Sequence, residues 1–195
     1  MMMTFHGNSA LMLQDKSQNR NVTILLDPYT ENKETPANKD PNIILYTKGL
    51  GSYEFPTETF TIEYAGEYEV DSVMVYGVQI GEETVYRIEI DDWRMVFLGR
   101  LSSPLTDSHV ESFGDVDVLC LPVGGHDVLT PEQAEKIIQK IQPRMVVPLA
   151  YDGDRDPLPN FLKLLGKKDV EGIDKFKIIK KLLPEDDMAV VVLTP

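Results

Sequence analysis

The spacing of hydrophobic and polar residues divides the chain into two halves with different periods. Before residue 99, short apolar segments rich in β-branched and aromatic residues alternate with turns of Gly, Asn and Asp, which predicts β-strands. The predicted strands cover residues 10–13, 22–26, 43–46, 59–62, 67–70, 73–80, 84–90 and 93–98. Gly81 and the pair Asp91-Asp92 separate the last three, so we expect these three to form an antiparallel meander.

The second half predicts a strand, a helix and a strand in succession. Residues 116–123 form a nearly continuous apolar run, which is typical of a strand covered on both faces. Thr130 is the predicted helix N-cap, Pro131 the first helical residue and Gln133 the partner in a capping box. The apolar face of this helix is Ala134, Ile137, Ile138 and Ile141. A buried strand at 145–149 completes a unit whose two strands should pair in parallel.

Smaller elements follow from the same patterns. We expect a short helix beginning near Thr106, a second short helix at 161–165 and a closing strand at 188–193. An antiparallel half joined to a half with a β-α-β unit implies sheets covered by helices, so the fold class is α/β.

Composition and charge narrow the classes of partner. A chain of 195 residues with 42% hydrophobic residues suits one compact domain over residues 1–195. Its net charge of -13 disfavours nucleic acid and anionic membranes as partners. The sequence has no membrane-length apolar run and no basic N-terminal region, which predicts a cytoplasmic protein. The single cysteine, Cys120, lies in an apolar run, so we expect a buried and inert thiol.

Seven segments, in the same order and over essentially the whole chain, resemble a known family. They are GNSALML at 7–13, ILLDPY at 24–29, NIILYTKG at 42–49, AGEYEV at 65–70, LGRLSSPLT at 98–106, DVDVLCLPVGG at 115–125 and PRMVVPLAY at 143–151. The chain is similar to small metallo-β-lactamase-fold hydrolases, in particular to compact bacterial and archaeal zinc-dependent hydrolases. The resemblance implies a four-layer αββα sandwich with two mixed β-sheets. It also implies metal ions, held by loops at one edge of the sheets, that activate water for hydrolysis.

The residues at the family's metal-ligand positions differ from the family pattern. The family loop T-H-x-H-x-D-H corresponds to residues 47–53, L-G-D to residues 98–100, P-M-H-Y to residues 148–151 and an N-terminal G-H to residues 7–8. The positions that would carry ligands are Asn8, Lys48, Leu50, Ser52, Tyr53, Arg100 and Ala150. None has imidazole, thiolate or carboxylate chemistry, and two are cations that would repel a metal ion.

On this basis we predict a metal-free, non-catalytic relative of these hydrolases, with no cofactor. Lys48 and Arg100 would pair with acidic groups such as Asp27 and Glu54, or would accept a small anion in the old cleft. The expected partner is an unidentified small molecule or protein, and a homo-oligomer is possible. A purely structural subunit, marked by an exposed apolar patch, is a further interpretation.

The alternative is a metal-dependent hydrolase with a rebuilt site. His126 and Asp127 follow Gly124-Gly125 at a strand end, and His6 precedes Gly7, so these three residues are its candidates, with zinc or another divalent ion as cofactor. An exposed turn residue is the simpler interpretation of His126. His109 is expected at the surface of the helix near Thr106.

Two acidic stretches could suggest a calcium site or a catalytic carboxylate pair, but their sequences favour turns. Residues 152–156 begin like a calcium loop but lack its later glycine and glutamate, so we interpret them as a polar turn. The pair Asp91-Asp92 is interpreted as turn chemistry rather than a catalytic carboxylate pair.

Overall fold

The structure is a computed structural model that describes residues 1–16, 20–29, 40–49, 55, 58–151, 157–168, 170–184 and 187–195. Of the residues named above, Leu50, Ser52, Tyr53, Glu54 and the acidic stretch at 152–156 lie outside these ranges.

Strands make up most of the regular structure. They are β1 (Met2–Phe5), β2 (Leu11–Asp15), β3 (Val22–Leu26), β4 (Ile43–Leu45), β5 (Phe60–Ile62), β6 (Gly66–Val70), β7 (Val73–Ile80), β8 (Glu83–Ile90), β9 (Trp93–Phe97), β10 (Val118–Pro122), β11 (Met145–Leu149), β12 (Gly172–Ile173), β13 (Lys175–Lys177), β14 (Ala189–Val190) and β15 (Val192–Leu193). The helices in the described ranges are α1 (Asp107–Phe113), α2 (Pro131–Ile141) and α3 (Leu158–Leu164), with a 3-10 turn at Lys180–Leu182.

Two mixed sheets face each other, as predicted. The first has six strands in the order β13-β1-β2-β3-β4-β5, and the second has seven in the order β14-β11-β10-β9-β8-β7-β6. In the first, β3, β4 and β5 are parallel, and in the second β9, β10, β11 and β14 are parallel. The predicted antiparallel meander is confirmed in β7 to β9, and β6 extends it by a further antiparallel strand.

Two apolar layers hold these elements together. One lies between the sheets and contains Phe5 and Ile24 from the first sheet and Tyr86, Phe97 and Val147 from the second. The other lies between the seven-stranded sheet and helices α1, α2 and α3. No helix in the described residues covers the outer face of the six-stranded sheet, where a small cluster includes Tyr29, Ile44 and Tyr46.

Helix α2 forms for the local reasons that predicted it. The Thr130 side chain accepts a hydrogen bond from the Gln133 backbone N–H, and the Gln133 side chain accepts one from the Thr130 N–H. Pro131 begins the helix, and its apolar face is buried against the sheet. The parallel pairing of β10 with β11 around this helix confirms the predicted β-α-β unit.

Some boundaries differ from the predicted ones. Helix α3 begins earlier than predicted, at Leu158. The predicted closing strand is two short strands, β14 and β15, which pair in different sheets. Strands β1 and β13 were not predicted, because both are short: β1 becomes a strand by pairing with β2 and β13, and β13 by pairing with β1. No helix of the described chain is long and apolar enough to cross a membrane.

Candidate functional site

The carboxyl ends of the parallel strands meet at one edge of the sandwich, which we call the loop edge. Asp27 follows β3, Thr47 follows β4 and Arg100 follows β9. The Thr47 N–H and hydroxyl donate to the two carboxylate oxygens of Asp27, at 2.7 and 2.6 Å. The Arg100 N–H donates to the Thr47 hydroxyl at 3.1 Å, and the Thr84 N–H donates to the Thr47 carbonyl at 2.8 Å. Thr47 therefore joins loops from both sheets.

The carboxyl group of Asp27 is fully buried at the centre of these contacts. Burial raises its pKa to about 6, although the hydrogen bonds from Thr47 oppose that rise. The group therefore changes protonation in a mildly acidic range, unlike an exposed aspartate.

Close backbone contacts at the loop edge require glycine at two positions. Gly99 has a φ of +47°, and a Cβ there would lie 2.3 Å from Cγ2 of Thr47. A Cβ on Gly124 would lie 1.9 Å from the carbonyl oxygen of Ala150. Any side chain at either position would separate the loops.

Four residues other than glycine at this edge have left-handed backbone conformations. They are Asn8, Asp27, His126 and Ala150, with φ between 48° and 54°. Asn and Asp adopt this conformation at low cost, whereas an alanine loses free energy in it. Asn8 and Ala150 are brought together, because the Ala150 N–H donates to the Asn8 carbonyl at 2.6 Å. Such conformations concentrate at functional sites in proteins.

A cleft of about 400 Å³ opens at the loop edge and is lined by Lys48, Arg100, Ser102 and Asp127. The Lys48 ammonium donates to Oε1 of Glu83 at 2.9 Å, and the Ser102 hydroxyl donates to the same oxygen at 3.0 Å. The Glu83 side chain is 2% exposed, while that of Lys48 is 42% exposed. The buried Glu83 carboxylate therefore positions Lys48 and Ser102, while the Lys48 side chain remains partly exposed to solvent.

Tyr29 contacts the backbone of Lys48 and the side chain of Arg100. Its hydroxyl accepts from the Lys48 N–H and donates to the Lys48 carbonyl, both at 3.0 Å. The Arg100 guanidinium lies over the Tyr29 ring, 5.3 Å from its centre. Burial raises the pKa of the Tyr29 hydroxyl, so it stays protonated and can donate.

The ammonium of Lys48 pairs with a carboxylate that we did not predict. We expected Asp27 or Glu54, but the ammonium of Lys48 bonds to Glu83 and lies 3.9 Å from Glu82. Glu83 is separated from Lys48 by 35 positions and lies on the other sheet, so only the three-dimensional fold brings them together. The one signal in the sequence is that Glu83 directly precedes the strand predicted at 84–90.

Of the three candidates for a rebuilt metal site, only Asp127 is among the described residues that line the cleft. Asp127 is exposed and lines the cleft, whereas His126 is exposed beside it and is not among the described residues that line it. His6 is half-buried in the turn after β1, on the side of Asn8 and Ala150.

Four residues predicted to have ordinary structural roles have them. His109 caps α1, because its Nδ1 accepts from the Thr106 N–H. Asp91 and Asp92 lie in the turn between β8 and β9. Cys120 is completely buried, and burial raises the pKa of its thiol, so it is a poor nucleophile.

The described residues do not supply a complete set of metal donors. Within the described ranges, no three His, Cys, Asp or Glu side chains come together as a metal site would require. Of the four residues lining the cleft, Asp127 is the one common metal ligand, and Lys48 and Arg100 are cations. A divalent ion in this cleft would need donors in addition to Asp127.

Comparison with known proteins identifies the family. A model of the beta-lactamase superfamily domain matches residues 2–150. A UPF0173 metal-dependent hydrolase of Thermococcus onnurineus is 32% identical over 120 residues, which is 53% of this chain and 53% of the relative. A second one, from Pyrococcus horikoshii, is 29% identical over 134 residues, 57% of this chain and 56% of the relative. The aligned part thus spans about half the length of these curated relatives.

A solved structure shows the same fold over the whole chain. A candidate zinc-dependent hydrolase of the metallo-β-lactamase superfamily from Thermotoga maritima superposes with a TM-score of 0.83, covering 100% of both chains at 23% identity. At that identity the similarity establishes the fold alone.

These comparisons correct two predictions. We expected a metal-free, non-catalytic protein with no cofactor, but the curated relatives are named metal-dependent hydrolases, which favours the alternative of a hydrolase with a divalent metal. The error has a physical reason, because the absence of the family's ligands at fixed positions does not exclude donors from other loops at the same edge. The match over residues 2–150, together with the two mixed sheets, shows that this chain belongs to the metallo-β-lactamase-fold superfamily.

Proposed function

We propose that this chain is a metal-dependent hydrolase whose reaction takes place in the cleft lined by Lys48, Arg100, Ser102 and Asp127. The observation that carries the proposal is the position of this cleft. It lies where the loops after β4, β9 and β10 converge, at the carboxyl ends of parallel strands. Ligand sites in α/β sheets commonly occupy such ends. The names of the curated relatives support the reaction class.

Asp127 is the residue that we assign to proton transfer. Its carboxylate is exposed and lines the cleft, so it can accept a proton from a water molecule there. Because it follows the Gly124-Gly125 turn, its position depends on the close contact of Gly124 with Ala150.

Lys48 and Arg100 are assigned to substrate binding. The ammonium of Lys48 has three N–H donors, of which Glu83 accepts one at 2.9 Å. Arg100 is held by its backbone bond to Thr47 and by the Tyr29 ring. Both cations face the cleft, where they can hydrogen-bond to the negative charge that develops on a carbonyl or phosphoryl oxygen during hydrolysis.

The described donors do not complete a metal site, so no catalytic step is assigned to the metal here. The proposal requires the protein to bind a divalent ion through donors at the loop edge other than Asp127, which is assigned to proton transfer.

A hydrolysis assay with matched variants tests the proposal. The protein, incubated with zinc, manganese or iron, is assayed on chromogenic phosphomonoesters, phosphodiesters, carboxylic esters and lactams. Asp127→Asn should lower kcat/KM about 100-fold or more, as expected for the loss of a general base. The control Asp115→Asn changes a 95% exposed carboxylate at the opposite edge of the sandwich and should leave the rate unchanged. Equal rates for the two variants would contradict the role of Asp127. The proposed function would be contradicted if none of the substrates is hydrolysed in a chelator-sensitive way.

A further inference from the structure

The outermost strands of the sandwich carry opposite charges in the same alternating pattern. In β6, at one side, Glu67 and Glu69 are exposed and Tyr68 is half-buried against the core between the sheets. We call β5 and β6 together the acidic edge. Within the described residues, neither glutamate forms an ion pair.

Strand β13, at the other side, repeats this pattern with the opposite charge. Lys175 and Lys177 are exposed, and Phe176 is half-buried against the same core. We call this strand the basic edge. These lysines also form no ion pair within the described residues. Strands β6 and β13 therefore each direct one apolar side chain toward the core and two charged side chains outward, and these charges have no ion-pair partner among the described residues.

Both strands have one neighbour in the described part of the chain, β7 for β6 and β1 for β13. Charges on edge strands protect a sheet from pairing with copies of itself. Antiparallel pairing of β6 with another β6, centred on Tyr68, places Glu67 opposite Glu69, and pairing of two β13 strands places Lys175 opposite Lys177. Both pairings are repelled. Pairing of β6 with β13 places glutamate opposite lysine in either direction, so these charges give no protection against it.

Exposed apolar side chains lie beside the same two edges. Among the described residues, the large hydrophobic side chains classed as exposed are Phe60, Tyr64, Ile173, Ile179 and Leu182. Phe60 and Tyr64 belong to or border the acidic edge, and the three aliphatic residues lie within five positions of β13. Contact between the edges would remove from water those of these side chains that lie at the contact.

We propose that a second copy of this chain docks its basic edge on the acidic edge of the first, head to tail. The occupant is argued from charge complementarity, since the chain itself carries the pattern that matches each edge. Such a contact joins different surfaces of the two copies, so it generates a ring or an open chain rather than a two-fold dimer. Because the matching strands have five and three residues, the association is expected to be weak and concentration-dependent.

Sedimentation velocity with a charge-swap pair tests the proposal. The wild type at high concentration should show species heavier than the 22.0 kDa monomer. The double variant Glu67→Lys with Glu69→Lys should be monomeric, because both of its edges are basic. The double variant Lys175→Glu with Lys177→Glu should also be monomeric, because both edges are acidic. An equimolar mixture of the two variants should associate again, since every contact then joins opposite charges.

The mixture separates edge pairing from an effect of overall charge. Each exchange alters the charge by two units per residue, so the variants carry -9 and -17 in place of -13. Overall repulsion alone would make the first variant associate more and the second less. The control Glu111→Lys with Asp115→Lys also carries -9 but alters neither edge, and should associate like the wild type. Far-ultraviolet circular dichroism checks that all variants are folded. A monomeric wild type at every concentration, or a mixture that stays monomeric, would overturn the proposal.

Discussion

At the scale of single residues, the burial of Asp27 makes the stability of the protein depend on pH. Its carboxyl group is completely buried and its pKa is raised to about 6 from 3.8. A carboxyl pKa that is higher in the folded state than in the unfolded state favours folding most below the unfolded value. This contribution is lost as the pH rises from about 4 through about 6, and amounts to roughly 3 kcal/mol for a shift of two units.

Asp27→Asn should remove this pH dependence. Asparagine tolerates the left-handed backbone and keeps an oxygen to accept from the Thr47 N–H. We therefore expect the variant to be destabilised more at pH 4.5 than at pH 7.5, relative to the wild type. Urea unfolding at the two pH values measures this difference. The same destabilisation at both values would mean that Asp27 does not titrate in this range.

Ala150 offers a second test at this scale. Its φ of 53° is unfavourable for any side chain with a Cβ atom and costs about 1 kcal/mol, whereas glycine adopts it freely. Ala150→Gly should therefore raise the free energy of unfolding by about 0.5 kcal/mol or more, after the greater flexibility of glycine in the unfolded chain is subtracted. The control Ala134→Gly, in the buried face of α2, should lower it. Destabilisation at both positions would contradict the assigned backbone strain at residue 150.

At the scale of elements, one buried carboxylate ties the C-terminal segment to the seven-stranded sheet. Asp117, just before β10, accepts from the Arg94 N–H and the Lys180 ammonium, both at 3.0 Å, and pairs with the Arg144 guanidinium at 3.5 Å. Arg144 also donates to the carbonyls of residues 183 and 184. The Asp117 side chain is 11% exposed, so its loss would leave two cations without their shared partner.

Asp117→Ala should lower the free energy of unfolding by about 2 kcal/mol, because Asp117 is buried while both cations are partly exposed and keep other acceptors. Asp115→Ala serves as the matched control, because it removes a 95% exposed carboxylate from an ion pair with Arg94 and should cost under about 0.5 kcal/mol. Guanidinium unfolding of both variants measures the two effects. Comparable small losses for the two would show that the network does not hold the C-terminal segment.

The elements that were predictable are those whose causes are local. Helix α2 is specified by Thr130, Pro131 and Gln133 within a few residues, and β10 by its own apolar run. Strand β13 was missed because Lys175 and Lys177 become strand residues only by pairing with β1, more than 170 positions away. The ion pair of Lys48 with Glu83 was missed for the same reason. The sequence therefore predicted residues for a candidate site at strand ends, but not the contacts, such as Lys48 with Glu83, that hold them.

At the scale of the whole molecule, the local charge at the cleft is opposite in sign to the net charge of the chain. The chain has a net charge of -13, yet the cleft at the loop edge presents Lys48 and Arg100. Lys48 is held by the buried Glu83 and Arg100 by Tyr29, so both cations are positioned before a substrate arrives. Preorganised groups of this kind contribute to catalysis because they need not reorganise during the reaction. The central claim is that the protein is a metal-dependent hydrolase with this cleft as its active site.

Elemental analysis of the protein tests that claim most directly. The protein is purified without chelator, incubated with zinc, manganese or iron, and dialysed, and its metal content is compared with that of Asp127→Asn and Asp115→Asn. We expect about one or more ions per chain in the wild type and in Asp115→Asn, as a metal site of this fold requires. We expect the same occupancy in Asp127→Asn, because Asp127 is assigned to proton transfer rather than to metal binding. Near-zero occupancy of the wild type under all three metals would contradict the account.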